Sequence, residues 1–363
     1  MAADEDSPEP THMPEIPADL AAKVKRRGGS ATIYDIAELA GVNPSTVSRA
    51  LSKPGRISPK TEAKIRLAAE HLQFRFNPMA RALPTGRSQT LGLLVADITN
   101  PVIFGIVRGA ERAASIAGYT LIIAESQESG EAEAEAVSRI LPSVDGIVLA
   151  TTRLSDERIT TLAARKPVVL INRPVTDVPS VLPNVGSGVS ELLDHLANLG
   201  HSSLVYLSGP ETSWISRSRW ELLLEGALRR DMGIVEVGPN SPTIEGGSGA
   251  LRRVIAARAT AAVAFNDLMA IGLIRAATVA DVRVPAELSV TGFDDIFGSE
   301  LIVPALTTVR AQLVEAGERA VATLVQLIGD GQVPATDEPL VTALVVRSST
   351  GPAPSSPIRH DGV

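Results

Sequence analysis

Residues 32–51, TIYDIAELAGVNPSTVSRAL, restrict the fold of this chain more than any other segment. Ile33, Ile36, Ala37 and Ala40 recur at helical spacing, and Gly41 breaks the pattern. Val42 begins a turn, and Asn43-Pro44 opens a second helix with Val47, Ala50 and Leu51 on its inner face. Two short amphipathic helices joined by one glycine-centred turn make a helix-turn-helix, whose second helix fits a DNA major groove. The other face of that helix carries Ser45, Thr46, Ser48 and Arg49, small hydrogen-bonding groups and a guanidinium suited to base edges and phosphate.

Capping signals agree with these boundaries. Thr32 stands three residues before Asp35, a relative of the capping box. Asn43-Pro44 puts an N-cap side chain ahead of a proline at the first helical position, and Ser58-Pro59 and Asn77-Pro78 repeat the device. After Ser58, the residues Ile65, Leu67, Ala68, Ala69 and Leu72 give a third apolar face.

Charge separates this head from the rest. The whole chain is acidic, net −7, yet residues 23–87 hold 13 basic against four acidic side chains. Residues 1–22 carry six acids and no Lys or Arg, which leaves 88–363 at −10. A cationic head on an anionic body suits a module that meets phosphate while its carrier stays clear of it.

Composition narrows the alternatives. The length of 363 residues allows two or three domains, and 44% hydrophobic content supports a large core. The absence of cysteine excludes disulfides, thiolate metal sites and a cysteine nucleophile. No apolar run reaches membrane-spanning length, and the first 30 residues lack the apolar core of a secretory signal, so a cytoplasmic protein is expected.

From Thr90 the pattern becomes alternating strands and helices: LGLLVAD, YTLIIAE, DGIVLAT and PVVLIN, then SLVYLSG, TAAVAFN and LSVTGFDD, with helical stretches between them. Continuous apolar strands separated by amphipathic helices indicate parallel α/β sheets covered on both faces. Two such series predict two lobes with a cleft, where ligands sit beyond the carboxyl ends of strands. The residues there are polar: Asp97 and Asn100, Asn172, Asn266, and Asp294-Asp295. Phe104, Trp220, Arg217 and Arg219 lie close in sequence to such ends. Acids, amides, arginines and rings together suit a small polyhydroxylated ligand. Two of these residues have an equally simple structural use: Asn266 can cap the helix that starts at Asp267, and Trp220 at helical spacing can be core.

These motifs together resemble the lactose-repressor/galactose-repressor family of transcriptional regulators. The resemblance runs over about 32–348 and is carried by TIYDIAELAGVNPSTVSRAL, FNPMARAL, DITNP, DGIVL, LGH, SWISRSRW, AFNDLMAIGL, VPAELSVTGFDD and PALTTVR. It implies an all-α helix-turn-helix domain followed by a two-lobed α/β effector domain like those of periplasmic binding proteins. It implies base contacts from Pro44, Ser45 and Arg49, and DNA-backbone contacts from Thr32, Tyr34, Asn43, Thr46, Arg56, Ser58, Thr61 and Asn77. Residues 78–83, with Ala80, Arg81 and Leu83, are similar to the hinge helix that folds only on operator DNA in a dimer, Leu83 entering the minor groove. Asp97, Asn100, Phe104, Asn172, Arg219, Asn266 and Asp294 fall at or near effector-contact positions. Pro44 departs from the pattern, because it offers a base only apolar contact, and Pro84 stops the hinge helix sharply. Asn184 stands where Asp is frequent, and Leu222 where glycine is usual.

The expected organisation is a disordered acidic tail over 1–30, the helix-turn-helix domain over 31–76, and a hinge and linker over 77–87. The effector-binding and dimerisation domain follows over 88–350, with its lobe boundary near 180–184 and later crossovers, and a disordered tail closes the chain over 351–363. The expected function is a dimeric repressor of a near-palindromic DNA site, controlled by a sugar-like effector, with no cofactor, metal, membrane partner or catalysis. A solute-binding protein is the alternative that the two-lobed body allows. The glycine run Gly246-Gly247-Ser248-Gly249 lacks the phosphate-loop pattern, and the five histidines show no HExxH spacing, which argues against an enzyme.

Overall fold

The computed structural model describes residues 15–52, 55–74, 87–331 and 340–355, which form two separate compact units, Met1–Leu83 and Pro84–Val363. Asn77, Ala80, Arg81 and Leu83, the hinge positions of the sequence reading, lie outside the described residues.

The first unit is helical: α1 (Ala18–Arg26), α2 (Ile33–Ala40), α3 (Pro44–Ser52) and α4 (Pro59–His71). Ile36, Val47 and Ile65, from the three helices expected at sequence level, are fully buried in one small core. Gly41 ends α2 at φ 63°, a left-handed conformation that glycine adopts without strain, and Val42 N–H closes the turn onto Ala37 O at 3.0 Å. The expectation of a disordered tail through residue 30 is corrected here. Residues 18–26 form α1, and its Leu20 is fully buried in the same core. Only Leu20 and Val24 are apolar and branched in this nine-residue helix, and no capping side chain announces it, so tertiary burial rather than local preference holds it.

The second unit contains β1 (Thr90–Val95), α5 (Val102–Ile116), β2 (Thr120–Glu125), α6 (Gly130–Ile140), β3 (Gly146–Ala150), α7 (Asp156–Ala163), β4 (Val168–Ile171), β5 (Ser180–Val181) and β6 (Pro183–Asn184). It continues with α8 (Val185–Asn198), β7 (Ser203–Leu207), α9 (Trp214–Leu228), β8 (Gly233–Val237), α10 (Ile244–Ala256), β9 (Ala261–Ala264), α11 (Asp267–Val279) and β10 (Ser289–Asp294). β11 (Thr307–Arg310), α12 (Leu313–Asp330), β12 (Leu340–Val341) and β13 (Ala343–Val345) complete it.

Two sheets organise two lobes. The first is parallel, in the order β2-β1-β3-β4-β5. The second runs β13-β11-β10-β9-β7-β8, parallel except for the antiparallel edge pair β11–β13. Alternation within the first sheet explains its unbroken apolar strands. Leu91, Leu93, Val148 and Val169 face one core, which α5 and α12 cover; Leu94, Ile147, Leu149 and Leu170 face another, under α6 and α7.

The chain passes between lobes more than once. It leaves the first sheet after β5, and α12 returns to pack on α5, β3 and β4; β13 then lies in the second sheet. β12 pairs with β6 in a separate two-stranded ladder. The disordered tail expected from 351 is corrected for residues 351–355: Gly351 N–H bonds Ser289 Oγ at 3.1 Å and Ala353 N–H bonds Leu199 O at 2.8 Å. The glycine run sits inside α10 and serves helix packing. A Cβ on Gly247 would lie 2.0 Å from Met269 O of α11, a separation that no side chain allows.

Candidate functional site

The helical unit displays α3. Val47 and Ala50 are buried, while Ser45, Ser48 and Arg49 are exposed, so one face anchors the helix and the opposite face meets solvent. Pro44 and Thr46 are half-buried at its first turn, and Asn43 O accepts N–H of Thr46 at 2.8 Å and of Val47 at 3.2 Å. Tyr34 is 65% exposed, unusual for an aromatic in so small a domain. Arg56 and Ser58 are exposed and Thr61 is half-buried. Ser58 caps α4 by accepting N–H of Thr61 at 3.3 Å.

A buried ion pair fixes the start of α2. Asp35 is fully buried and takes Arg27 Nη2 at 2.6 Å on Oδ1, with Thr32 N–H and Oγ1 both donating to Oδ2 at 2.7 Å. Burial alone raises the Asp35 pKa, but the hydrogen bonds from Arg27 and Thr32 outweigh it and hold the carboxyl below its ordinary 3.8. Arg27, which the sequence reading counted among the cations of the head, therefore ties α1 to α2.

In the α/β unit, a cavity of about 50 Å³ lies between the carboxyl ends of the two sheets. Asp97, Asn100, Asn172, Arg219, Asn266 and Asp294 line it, six of the nine residues expected there. Phe104 does not; it is 57% exposed on α5. Arg217 and Trp220 do not either. They line a separate groove of about 440 Å³ with Glu211 and Glu236, and Trp220 stacks on the buried Tyr206 with ring centroids 6.0 Å apart. The reason is helical geometry: on α9, Arg217 and Trp220 leave the axis in directions different from Arg219, so adjacent positions reach different surfaces.

Arg219 is the centre of the cavity wall. Its guanidinium lies 4.3 Å from the centroid of Phe293 and 5.1 Å from that of Phe265, and it pairs with Asp294 at 2.8 Å. Nη1 donates to Phe265 O, while Nε is buried and has no partner among the described residues. Asn266 caps α11, accepting Met269 N–H at 2.9 Å, and donates to Pro242 O at 3.0 Å. Asp97 Oδ1 is occupied by the N–H and hydroxyl of Thr99, at 2.8 and 2.6 Å.

Glu128, Thr151 and Arg153 also line the cavity and were not foreseen. Arg153 grips Glu128 through Nη2 at 2.6 Å and Nε at 2.8 Å, and its Nη1 donates to Thr151 O at 2.8 Å. Beneath it, buried Glu133 accepts Arg153 N–H at 2.7 Å; burial raises the Glu133 pKa. A backbone signal unites these liners. Glu128, Thr151, Asn172 and Asp294 all have positive φ, at 61°, 56°, 63° and 105°. Such conformations are uncommon outside glycine and cluster where a structure holds residues for function. Neither apolar periodicity nor capping marks these positions in the sequence.

Behind the cavity, Asp267 is fully buried and accepts Ile296 N–H at 3.0 Å and the hydroxyls of Ser299 and Thr308, each at 2.6 Å. Burial, and then the neighbouring Asp294 charge, pushes its pKa up to about 7. Asp295, next to Asp294, pairs with Arg310 at 2.6 Å and Arg347 at 2.7 Å, a structural use. Among the described residues no cluster of three or more His, Asp or Glu could hold a metal ion, and no helix is long and apolar enough to cross a membrane.

Comparison with known proteins places both units. Residues 32–77 match the family described as bacterial regulatory proteins, lacI family, and residues 193–350 match the periplasmic binding protein-like domain. α1 precedes the first of these matches. The chain is 28% identical over 341 residues to the HTH-type transcriptional repressor CytR of Escherichia coli K12, covering 92% of this chain and 100% of that protein. It is also 28% identical over 323 residues to the ribose operon repressor of Halalkalibacterium halodurans, covering 88% and 97%. Among solved structures, the lac repressor dimer bound to operator and the anti-inducer ONPF superposes with a TM-score of 0.80 at 27% identity, covering 89% of this chain and 99% of that one. A likeness that spans helix-turn-helix and two-lobed body in one chain, in the same order, carries the assignment: the chain belongs to the lacI family of bacterial regulatory proteins.

Proposed function

We propose that this protein is a sequence-specific transcriptional repressor whose grip on operator DNA is set by a small sugar-like effector held between the two lobes of its α/β unit. The observation that carries the reading is α3, which buries Val47 and Ala50 and leaves Ser45, Ser48 and Arg49 exposed in a unit rich in cations. Arg49 and Ser45, with apolar contact from Pro44, read bases. Thr32, Tyr34, Asn43, Thr46, Arg56, Ser58 and Thr61 hold the DNA backbone, with Asn77, Ala80, Arg81 and Leu83 completing the contact.

The protein acts as a homodimer on a near-palindromic site. Phe297, Leu301 and Val303, which are 78%, 62% and 90% exposed within one short stretch, support self-association. Its place of action is the cytoplasm, on chromosomal DNA. Its relatives are regulators, and no catalytic role is assigned to it.

Effector linkage follows from the cavity. About 50 Å³ is far below the roughly 300 Å³ at which ligand pockets begin, so a sugar enters only as the lobes part. A ligand that binds one lobe arrangement better shifts the population toward it, and operator affinity changes by the same coupling. Selection from a random duplex library followed by gel-shift titration tests the reading. Recovery of a near-symmetric site bound at least a hundredfold tighter than random duplex is expected. Binding of all duplexes alike, or of none at low salt, overturns it.

A further inference from the structure

The charge of the cleft carries information about its ligand that goes beyond the sugar class, and the inference rests on the effector reading above. Five ionisable side chains line the cavity: Asp97, Glu128 and Asp294 against Arg153 and Arg219. The acids outnumber the bases, and both guanidinia are already held by acids. Arg153 presents Nη2 and Nε to Glu128 at 2.6 and 2.8 Å, a two-pronged grip that occupies the fork with which arginine binds phosphate. Arg219 gives Nη2 to Asp294 and Nη1 to Phe265 O, and Phe265 and Phe293 fix its plane. Of the six guanidinium nitrogens only Nε of Arg219, in a side chain more than nine-tenths buried, has no partner among the described residues, and the other donors near it are the neutral amides of Asn100 and Asn172.

An unpartnered Nε and neutral amides beside three carboxylates are matched by hydroxyl groups. A hydroxyl accepts from Nε and donates its own proton to a carboxylate oxygen. A phosphate monoester at neutral pH accepts but hardly donates, and it would face Asp97, Glu128 and Asp294 with no free cation to offset them. Thr151 at φ 56° and Glu128 at φ 61° hold this arrangement on strained backbone, and Glu133 fixes Arg153 from behind by accepting its N–H at 2.7 Å.

We propose that the cleft selects uncharged polyhydroxylated compounds over their phosphorylated forms, and that Glu128 is the residue that sets this preference by occupying Arg153. Removing the Glu128 charge frees the Arg153 fork and brings the charge of the lining to balance. Glu128 is thus a specificity residue, whether or not it touches the neutral ligand itself.

Isothermal titration of the full-length protein with matched pairs tests this: ribose and ribose 5-phosphate, glucose and glucose 6-phosphate, adenosine and adenosine 5′-monophosphate. The neutral member of at least one pair binds, at least tenfold tighter than its phosphate. Glu128→Gln narrows that ratio at least tenfold, mainly by gaining affinity for the phosphate. Glu128→Ala repeats the test should the glutamine variant fail to fold, as its thermal midpoint would show. A phosphate that binds as tightly as its neutral partner overturns the proposal. An unchanged ratio in the variants overturns the role of Glu128. A protein that holds its operator but takes neither member of any pair overturns the polyol class and leaves the DNA reading standing; loss of operator binding itself would instead be the failure of the repressor reading.

Discussion

The helical head and the α/β body use polar side chains in opposite ways. In the head, the candidate contact residues of α3 point outward: Ser45, Ser48 and Arg49 are exposed, and apolar packing behind them sets their position. In the body, the candidate contact residues point inward and hold one another: Arg219 with Asp294 at 2.8 Å and Arg153 with Glu128 at 2.6 Å. A surface that meets a large anionic polymer can leave its donors in water until the polymer arrives. A cleft for a small molecule has little room for water, so its charges are held in pairs that also support the fold. Substitutions in the head should therefore separate stability from binding, while substitutions in the cleft should couple them.

The largest effect is expected from Arg219→Ala, which leaves Asp294 buried beside no cation and should cost the body about 3–5 kcal/mol. Urea unfolding followed by tryptophan fluorescence reads the body alone, since Trp214 and Trp220 both lie there. A loss under 1 kcal/mol would erase the contrast. Leu20→Ala comes next, at about 3 kcal/mol in the head, because the fully buried leucine joins α1 to its core. Hydrogen exchange read by mass spectrometry should show faster exchange across 18–52 and no change in 90–150; unaltered exchange in α2 would make α1 a mere appendage. Arg49→Ala sharpens the contrast: operator binding weakens by about 1–3 kcal/mol while stability moves by less than about 0.5 kcal/mol. Gel shifts and melting on the same sample decide it, and a fall in both would mean that Arg49 serves folding.

The smallest effect concerns pH, where the two units should respond with opposite sign. The Asp35 pKa is held below 3.8 in the fold, so its contribution is complete above that value and is lost as pH falls through the folded pKa. Asp267 is pushed up to about 7, so between about 4 and 7 the folded body keeps a proton that the unfolded chain releases. The body therefore loses stability as pH rises across that window and is level above it. Urea midpoints of the body between pH 4 and 8 should show the fall, and Asp267→Asn should flatten it. A wild-type midpoint that rises over that range would contradict the burial of a neutral Asp267.

Much of the fold was legible because it follows local rules. The helix-turn-helix shows in Gly41, the caps and the spacing of Ile36, Val47 and Ile65, all within about 40 residues. The strands β1, β3 and β4 show as unbroken apolar runs because both of their faces are buried. α1 escaped notice, as did α12, whose role is to return the chain to the first lobe after β11. β8 escaped as an edge strand with the mixed sequence GIVEV and mostly exposed residues. In the cleft, the residues at strand ends were found because position alone brings them there. Phe104, Arg217 and Trp220 were misplaced because nearness in sequence to a strand end says nothing of the direction in which a helical side chain leaves its axis.

By itself the sequence determined the order of the elements, the cationic head and the polar character of the strand ends, since periodicity, capping and charge are properties of neighbouring residues. Tertiary structure alone decided which charges meet. Arg27 finds Asp35 across the turn between α1 and α2, and Arg219 finds Asp294, 75 positions away, through the juxtaposition of α9 and β10. Whether an arginine faces water, a carboxylate or a ligand depends on what the folded chain places within about 4 Å of it, and only packing sets that distance.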